Sequence, residues 1–595
     1  MRYPILNVLE TSRDMLQTFR GYNHNLRIND GEFYDMKNLT SSLYPILAPR
    51  GKRGVYITPE NPQGMIEKDN LCYVDGSKIV INGHPVEMEL STDEDMCPKK
   101  LVSMGADIII LPDKKWINTT DLTKYGDIEA KVDTVAPTTF TLCRLDGSDY
   151  GANAYPSAPE NPENYALWID TTATPNVLKQ WSESSSMWVQ IATTYIKISS
   201  PGIGAPFEKY DGVSISGIKG EILYDSTTGE PIEDTTNLSQ LDGNFVIWER
   251  GDDYIVVIGM LDITRTITNT ITIKREMPTM DFIVESKNRL WGCHYGVANN
   301  GDVVNEIYAS KLGDFKNWNC FMGLSTDSYV ASRGTDGPFT GAITHLGYPI
   351  FFKERHMHKV FGDYPATYQI QDTACRGVQR GSEKSLAIVN EVLYYKSTMG
   401  VCAYDGSLPQ EISYALGDVQ YSNAVGCSHG NKYYISMKDR SGVYHLFVYD
   451  SAKSMWHRED ETEVKDFCSC RDELFYIDAK DNAIKTMGNS GTSYEKKVDW
   501  MAETGAIGTA SPDKKYVSRL TVRMSLDIGT RVSFFAQYDS IGEWEPLCTM
   551  TGTTLRSFSI PIKPKRCDHF KLRIVGEGDA RIYSIAKTIE GGSDL

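Results

Sequence analysis

Glycoside hydrolysis needs two carboxylates at a set separation, one to donate a proton and one to act as base or nucleophile. The chain offers the acidic runs Asp93-Glu94-Asp95 and Glu459-Asp460, and such runs are ordinarily solvated loops, which is the expectation for both. His356-Met-His358 would put two imidazoles on one face of a strand, the geometry of a metal pair. No third ligand lies near them in sequence, so a turn-edge or partner-facing pair is expected instead. Cys468-Ser-Cys470 is the only close pair among 12 cysteines, and no second pair at zinc-finger spacing supports a metal or redox role. Buried, reduced thiols are expected. Trp168, Trp181 and Trp188 fall in one short span and are expected as the core of a small β-module, with an exposed sugar platform as the alternative. No phosphate-cradling Gly-x-x-x-x-Gly-Lys-Ser/Thr loop and no Gly-x-Ser-x-Gly elbow occurs. The expectation is therefore a chain with no catalytic residue, no cofactor and no metal ligand, that is, not an enzyme.

The elements that must position these residues are strands. From about 283 to 487 a theme repeats with a period of about 40 residues, the length of one four-stranded propeller blade. One copy spans 342–362, the next 385–406, a third 424–456 and a shorter fourth 466–487. In each, apolar runs of four to six residues are bounded by Gly, Asn, Asp or Ser, and no 3.6-residue apolar period lasts long enough for a substantial helix. Continuous runs such as Val392-Leu-Tyr-Tyr395 suit inner strands covered on both faces. An all-β propeller is expected, with an irregular sandwich as the alternative.

The remaining chain is also strand-like. Residues 1–58 are rich in turn formers and read as an extended arm needing a scaffold. Within 59–135, hairpins with turns at Asp75-Gly76 and Gly105 read as the first blades. Pro-rich composition from Val135 onward marks the entry to one or two small inserted β-domains over 136–277, and further blades are expected over 278–495. Over 496–595, Leu520, Val522 and Met524 alternate with Arg519, Thr521 and Arg523, which predicts a C-terminal β-sandwich with the first three inward.

Composition narrows the function classes. At 595 residues the chain exceeds the roughly 250–300 residues at which one core stops growing, so more than one core is expected. The net charge of -17 argues against a phosphate-neutralising nucleic-acid surface. Neither a secretory start nor an apolar run of membrane-spanning length is seen, so a soluble chain made in the cytoplasm is expected.

Several adjacent phrases resemble one family. Asn288-Arg-Leu-Trp-Gly292, then Ile307-Tyr-Ala-Ser-Lys-Leu-Gly-Asp-Phe-Lys-Asn-Trp318, then Phe351-Phe-Lys-Glu-Arg355, Lys359-Val-Phe-Gly362, the 377–382 segment and Gly400-Val-Cys-Ala-Tyr-Asp-Gly406 are similar to the tail nozzle or hub proteins of short-tailed phages, the packaged-DNA stabilisation family. Cys402 departs from the aromatic residue usual there. The likeness covers 280–420 well and carries no catalytic group. It implies a virion protein assembled in the host cytoplasm: a homo-oligomeric ring, of six copies, beneath the head-tail adaptor and beside other tail proteins, through which DNA passes without specific binding. The charge of -17 would make an acidic lumen along which DNA slides. Propellers also carry sialidases, but their Ser-x-Asp-x-Gly box fails here, because Leu312 stands where the Asp belongs in Ser310-Lys-Leu-Gly-Asp314. The alternatives are a receptor- or glycan-binding tail protein and, more weakly, a polysaccharide-cleaving one.

Overall fold

The computed structural model describes residues 11–135, 137–173, 175–218, 223–224, 231–232, 238–297, 301–509 and 513–591. Among these the only helices are short 3-10 turns, and the protein is all-β. Its chain forms two compact units, one of residues 1–101, 337–359 and 371–595 and one of 102–336 and 360–370.

The recurring element is a four-stranded antiparallel meander, seen seven times among the described residues. The first, starting at Pro62–Lys68, turns through Gly76 at φ 62° between Asn70–Asp75 and Lys78–Ile81. The second starts at Lys100–Met104 and the third at Phe282–Ser286. The fourth to seventh start at Gly341–His345, Ala387–Val389, Tyr421–His429 and Val464–Cys470, where the four sequence repeats lie. The seventh is irregular in origin. After Val464–Cys470, Glu473–Asp478 and Ile484–Thr486, its fourth strand is Gly54–Ile57, drawn from just before the first meander.

In the first unit, neighbouring meanders share cores. Met65, Leu71, Tyr73 and Val80 of the first meet Cys468, Phe475 and Ile484 of the seventh. Likewise Ile350 and Phe352 of the fourth meet Leu393 and Tyr395 of the fifth, and Leu446 and Val448 of the sixth meet Phe467 and Tyr476 of the seventh. Inner strands are thus covered on both sides, which is why their apolar runs are unbroken.

The sixth meander continues into a larger sheet through Gly21–Tyr22, Glu32–Lys37 and Asp499–Thr504 to the C-terminal strands. Of the residues 1–58 read from sequence as an extended arm, 1–10 lie outside the described residues; Thr11–Leu16 pairs Ala580–Gly591, and Gly21–Tyr22 and Glu32–Lys37 are hydrogen-bonded into this sheet, while Leu39–Thr40 pairs Ala48–Pro49 and Gly54–Ile57 serves the seventh meander. The strand Lys515–Tyr538 pairs first with Ala580–Gly591 and, past a corner at 527–530, with Phe570–Glu577. Leu520, Val522 and Met524 are buried and Arg519 and Arg523 exposed, as the alternation requires.

In the second unit, the second and third meanders share Val102, Ile109, Leu290 and Trp318. Two further sheets, one containing Thr138–Cys143 and Tyr195–Ser199 and the other Gly212–Ser216 and Thr272–Arg275, enclose Phe140, Ile198, Ile215 and Ile273. A small sheet of Asn153–Tyr155, Leu167–Asp170, Val177–Ser182 and Met187–Gln190 lies in sequence between Thr138–Cys143 and Tyr195–Ser199, two strands of the first of these sheets. No described helix is long and apolar enough to cross a membrane.

Candidate functional site

The three Trp residues share one face of the small sheet, opposite its core. Ile169 pairs with Leu178, and both are buried with Leu142 on the inner face. Strand alternation therefore sends Trp168, Lys179 and Trp181 the other way, and Trp181 stands directly across from Trp188. Aliphatic side chains, Leu142, Ile169 and Leu178, fill the covered face of the module, and of the three Trp expected as its core Trp168 is buried, on the opposite face. On the outer face Trp188 meets Trp168 and Trp181 edge to face, at centroid distances of 5.4 and 5.5 Å. Trp168 is only 6% exposed, its indole N–H donating to the Tyr155 carbonyl at 2.9 Å and Lys179 Nζ lying 5.0 Å over its ring. Lys179 also donates to Asp170 at 2.8 Å and, with Thr172, holds that carboxyl down to about 2. Trp181 and Trp188, both half-buried, keep part of their rings open to solvent.

The other chemistry-bearing residues are absorbed by packing. His358 is fully buried, with Nδ1 against Asp372 Oδ1 and its ring against Phe339, while His356 stays half-buried on the same strand face. Cys468 and Cys470 lie in the apolar layer between the first and seventh meanders, and burial raises both thiols. The Asp93–Asp95 run is exposed around a 3-10 turn. Among the described residues no group of three or more His, Cys, Asp or Glu is placed to hold a metal ion.

Glu459 and Asp460 are not a solvated loop. They face Arg50 and Arg53, which immediately precede the strand Gly54–Ile57. Arg53 donates to Glu459 and, at 2.8 Å, to Asp460, while Arg50 grips Glu495 with two bonds of 2.7 and 3.0 Å. Burial opposes ionisation of Asp460, but Arg53 and then Thr462 outweigh it and leave the carboxyl below the usual range. Four of these five side chains are less than a fifth exposed. Paired this way, neither carboxylate is available as a general acid or base. The cluster is instead a clasp, fixing residues 50–53 so that the next four residues enter the seventh meander. Gly54 has no side chain because a Cβ there would come within 2.7 Å of the Tyr494 ring.

The phrases of the family resemblance are pins of the same kind. Buried Arg289 donates to the carbonyls of Ser310, Ser325 and Asp327, tying off the third meander. Asn317, 1% exposed, donates to Asp211 at 2.9 Å and Asp314 at 2.6 Å and accepts from the Gly212 amide at 2.8 Å. Asp211 in turn receives Arg275. This network joins the third meander to the strands Gly212–Ser216 and Thr272–Arg275. Sequence reading found Asn317 as part of a phrase but missed Asp211 and Arg275, for which no local signal exists.

No family model matches the chain, and no curated protein matches it. Similar solved structures include an exo-β-1,3-galactanase from Phanerochaete chrysosporium with galactose, at 9% identity over 51% of this chain and 94% of that chain, TM-score 0.20. Others are the acylaminoacyl peptidase of Pyrococcus horikoshii, at 10% identity over 53% and 50%, TM-score 0.24, and U3-55K, at 6% identity over 73% and 97%, TM-score 0.25. Likenesses this slight carry nothing about chemistry.

Proposed function

We propose that this protein is a non-enzymatic phage virion protein, a subunit of a tail nozzle or hub ring that conducts and retains packaged DNA. In this reading the meanders are propeller blades, the series interrupted by inserted β-domains and extended by a C-terminal β-sandwich that shares a sheet with the N-terminal strands. The observation that carries this reading is the origin of the seventh meander's last strand. Supplying Gly54–Ile57 from ahead of the first meander joins the two ends of the blade series, the device by which a circle of blades closes without an exposed edge. The clasp behind it, and the pins at Arg289 and Asn317, spend their charged groups on rigidity, which suits a part that bears load around moving DNA. In this reading six copies form the ring, the head-tail adaptor and other tail proteins are its neighbours, and DNA passes without specific binding.

Native mass spectrometry with negative-stain averages, on the purified chain and on virions, tests the proposal. A ring with a central channel on the tail axis supports it. Monomers or trimers at the tail periphery would sink it.

One observation favours a second reading, a receptor- or glycan-binding tail protein: Trp181 and Trp188 sit on the outer face of the small sheet, with Trp168 behind them. Glycan-array binding lost in Trp181→Ala and Trp188→Ala would move the assignment there.

A further inference from the structure

The C-terminal sheet ends on an open flank, guarded by bends and by Pro546 and Pro561 except along one short run. The strand Glu545–Ile560 pairs only with Lys515–Tyr538 among the described residues, so its other side is an open edge. Register shifts bend it, leaving 556–560, opposite 524–520, as a straight run. Folded proteins guard such edges with Lys, inward charges, Pro or extreme shortness, yet the only charge in that run is Arg556, and it lies against the Phe558 ring.

The broad face beside this edge is basic. Arg519, Arg523, Arg531 and Arg581 are all exposed and, among the described residues, form no ion pair. Alternation and cross-strand pairing put Arg519, Arg523 and Arg581 on one side: Ser584 and Ser557 flank Arg523 and Ser525 pairs Arg581, while past the corner Arg531 stands between Thr551 and Glu577. Residues 513–595 carry more Lys and Arg than Asp and Glu, whereas the whole chain stands at -17. The excess acid therefore lies elsewhere on the molecule.

We propose that this face and the edge 556–560 are where a second copy of the chain docks, presenting its acidic remainder; the inference rests on the ring reading above. Identical chains of charge -17 repel one another, and a ring closed by rotation joins two different surfaces of each copy. A basic face on an otherwise acidic chain supplies opposite signs at such a joint, and the open edge can accept a strand from the neighbour.

The test uses the full chain. Ser557→Asp with Thr551→Asp places each carboxylate across the ladder from an Arg of the same molecule, Arg523 and Arg531. The fold is thereby kept while the face is neutralised. Arg519→Glu with Arg523→Glu reverses its sign. By native mass spectrometry and light scattering, the wild-type assembly should weaken as salt rises, and both variants, with unchanged circular dichroism, should weaken it by about tenfold or more in dissociation constant, roughly 1.4 kcal/mol. Hydrogen exchange should show amides 556–560 protected in the assembly and open in the variants. Rings of unchanged affinity in both variants would overturn this interface and leave the ring reading standing. A wild-type chain that stays monomeric at low salt would overturn both. Intact rings whose duplex-DNA binding is lost in Arg519→Glu with Arg523→Glu would make the face a polyanion site and overturn the docking proposal.

Discussion

Arg53 and Glu459 are 406 residues apart in the chain and form an ion pair from which water is nearly excluded, with 5% and 6% of their side chains exposed. Arg53 also reaches Asp460, Arg50 reaches Glu495, and the four-residue strand that completes the seventh meander begins at the very next position.

Breaking that clasp from one side should be costly. Arg53→Met leaves Glu459 and Asp460 buried with one guanidinium fewer, and a loss of about 3–5 kcal/mol is expected. Urea denaturation measures it, and a change below about 1 kcal/mol would show that the pair contributes little to the fold.

Acid should unfold the protein partly through His457. Its imidazole is buried beside Lys432, and burial first, then that ammonium, depress it from 6.5 to about 3. The unfolded chain therefore binds this proton at a higher pH than the native one. The contribution is complete above about 6.5 and falls between about 6.5 and about 3 as pH drops, by at most about 1.4 kcal/mol per pH unit. In His457→Gln the stability-pH curve should be flatter across that window, read from urea midpoints at a series of pH values.

Asn317 should report on the joint between the third meander and the strands Gly212–Ser216 and Thr272–Arg275. Asn317→Ala leaves the Gly212 amide and one side of Asp211 without their partner, at an expected 1–3 kcal/mol, order of magnitude. Limited proteolysis should then cut faster near 205–212, and an unchanged cleavage pattern would contradict the role.

Thiol labelling should find Cys72 and Cys320 protected. Burial pushes them up to about 11 and about 12, and both are free thiols in apolar or backbone-lined surroundings. Ellman's reagent at pH 8 should leave them unmodified in native protein and modify them in urea, as peptide mapping would show.

The strand content, the four repeats and the inward set Leu520, Val522 and Met524 were legible in the sequence because each is a local pattern: runs bounded by turn formers, or alternation with period two. Alternation also put His356 and His358 on one face, and it holds equally for the Trp sheet. What it cannot state is which face a neighbouring layer will cover. Of Trp168, Trp181 and Trp188, expected as a core, only Trp168 is buried, and Ile169 and Leu178 take the covered side. Partners distant in the chain leave no local mark at all. Glu459 and Asp460 read as a solvated run because Arg50 and Arg53 lie four hundred residues away, and Asn317 gave no hint of Asp211 and Arg275. The amino-acid order determined strands, turns and their repetition. Only the tertiary structure decided which charges meet, which faces are sealed, and that the last meander takes its fourth strand from the beginning of the chain, since those depend on long-range closure rather than neighbouring residues.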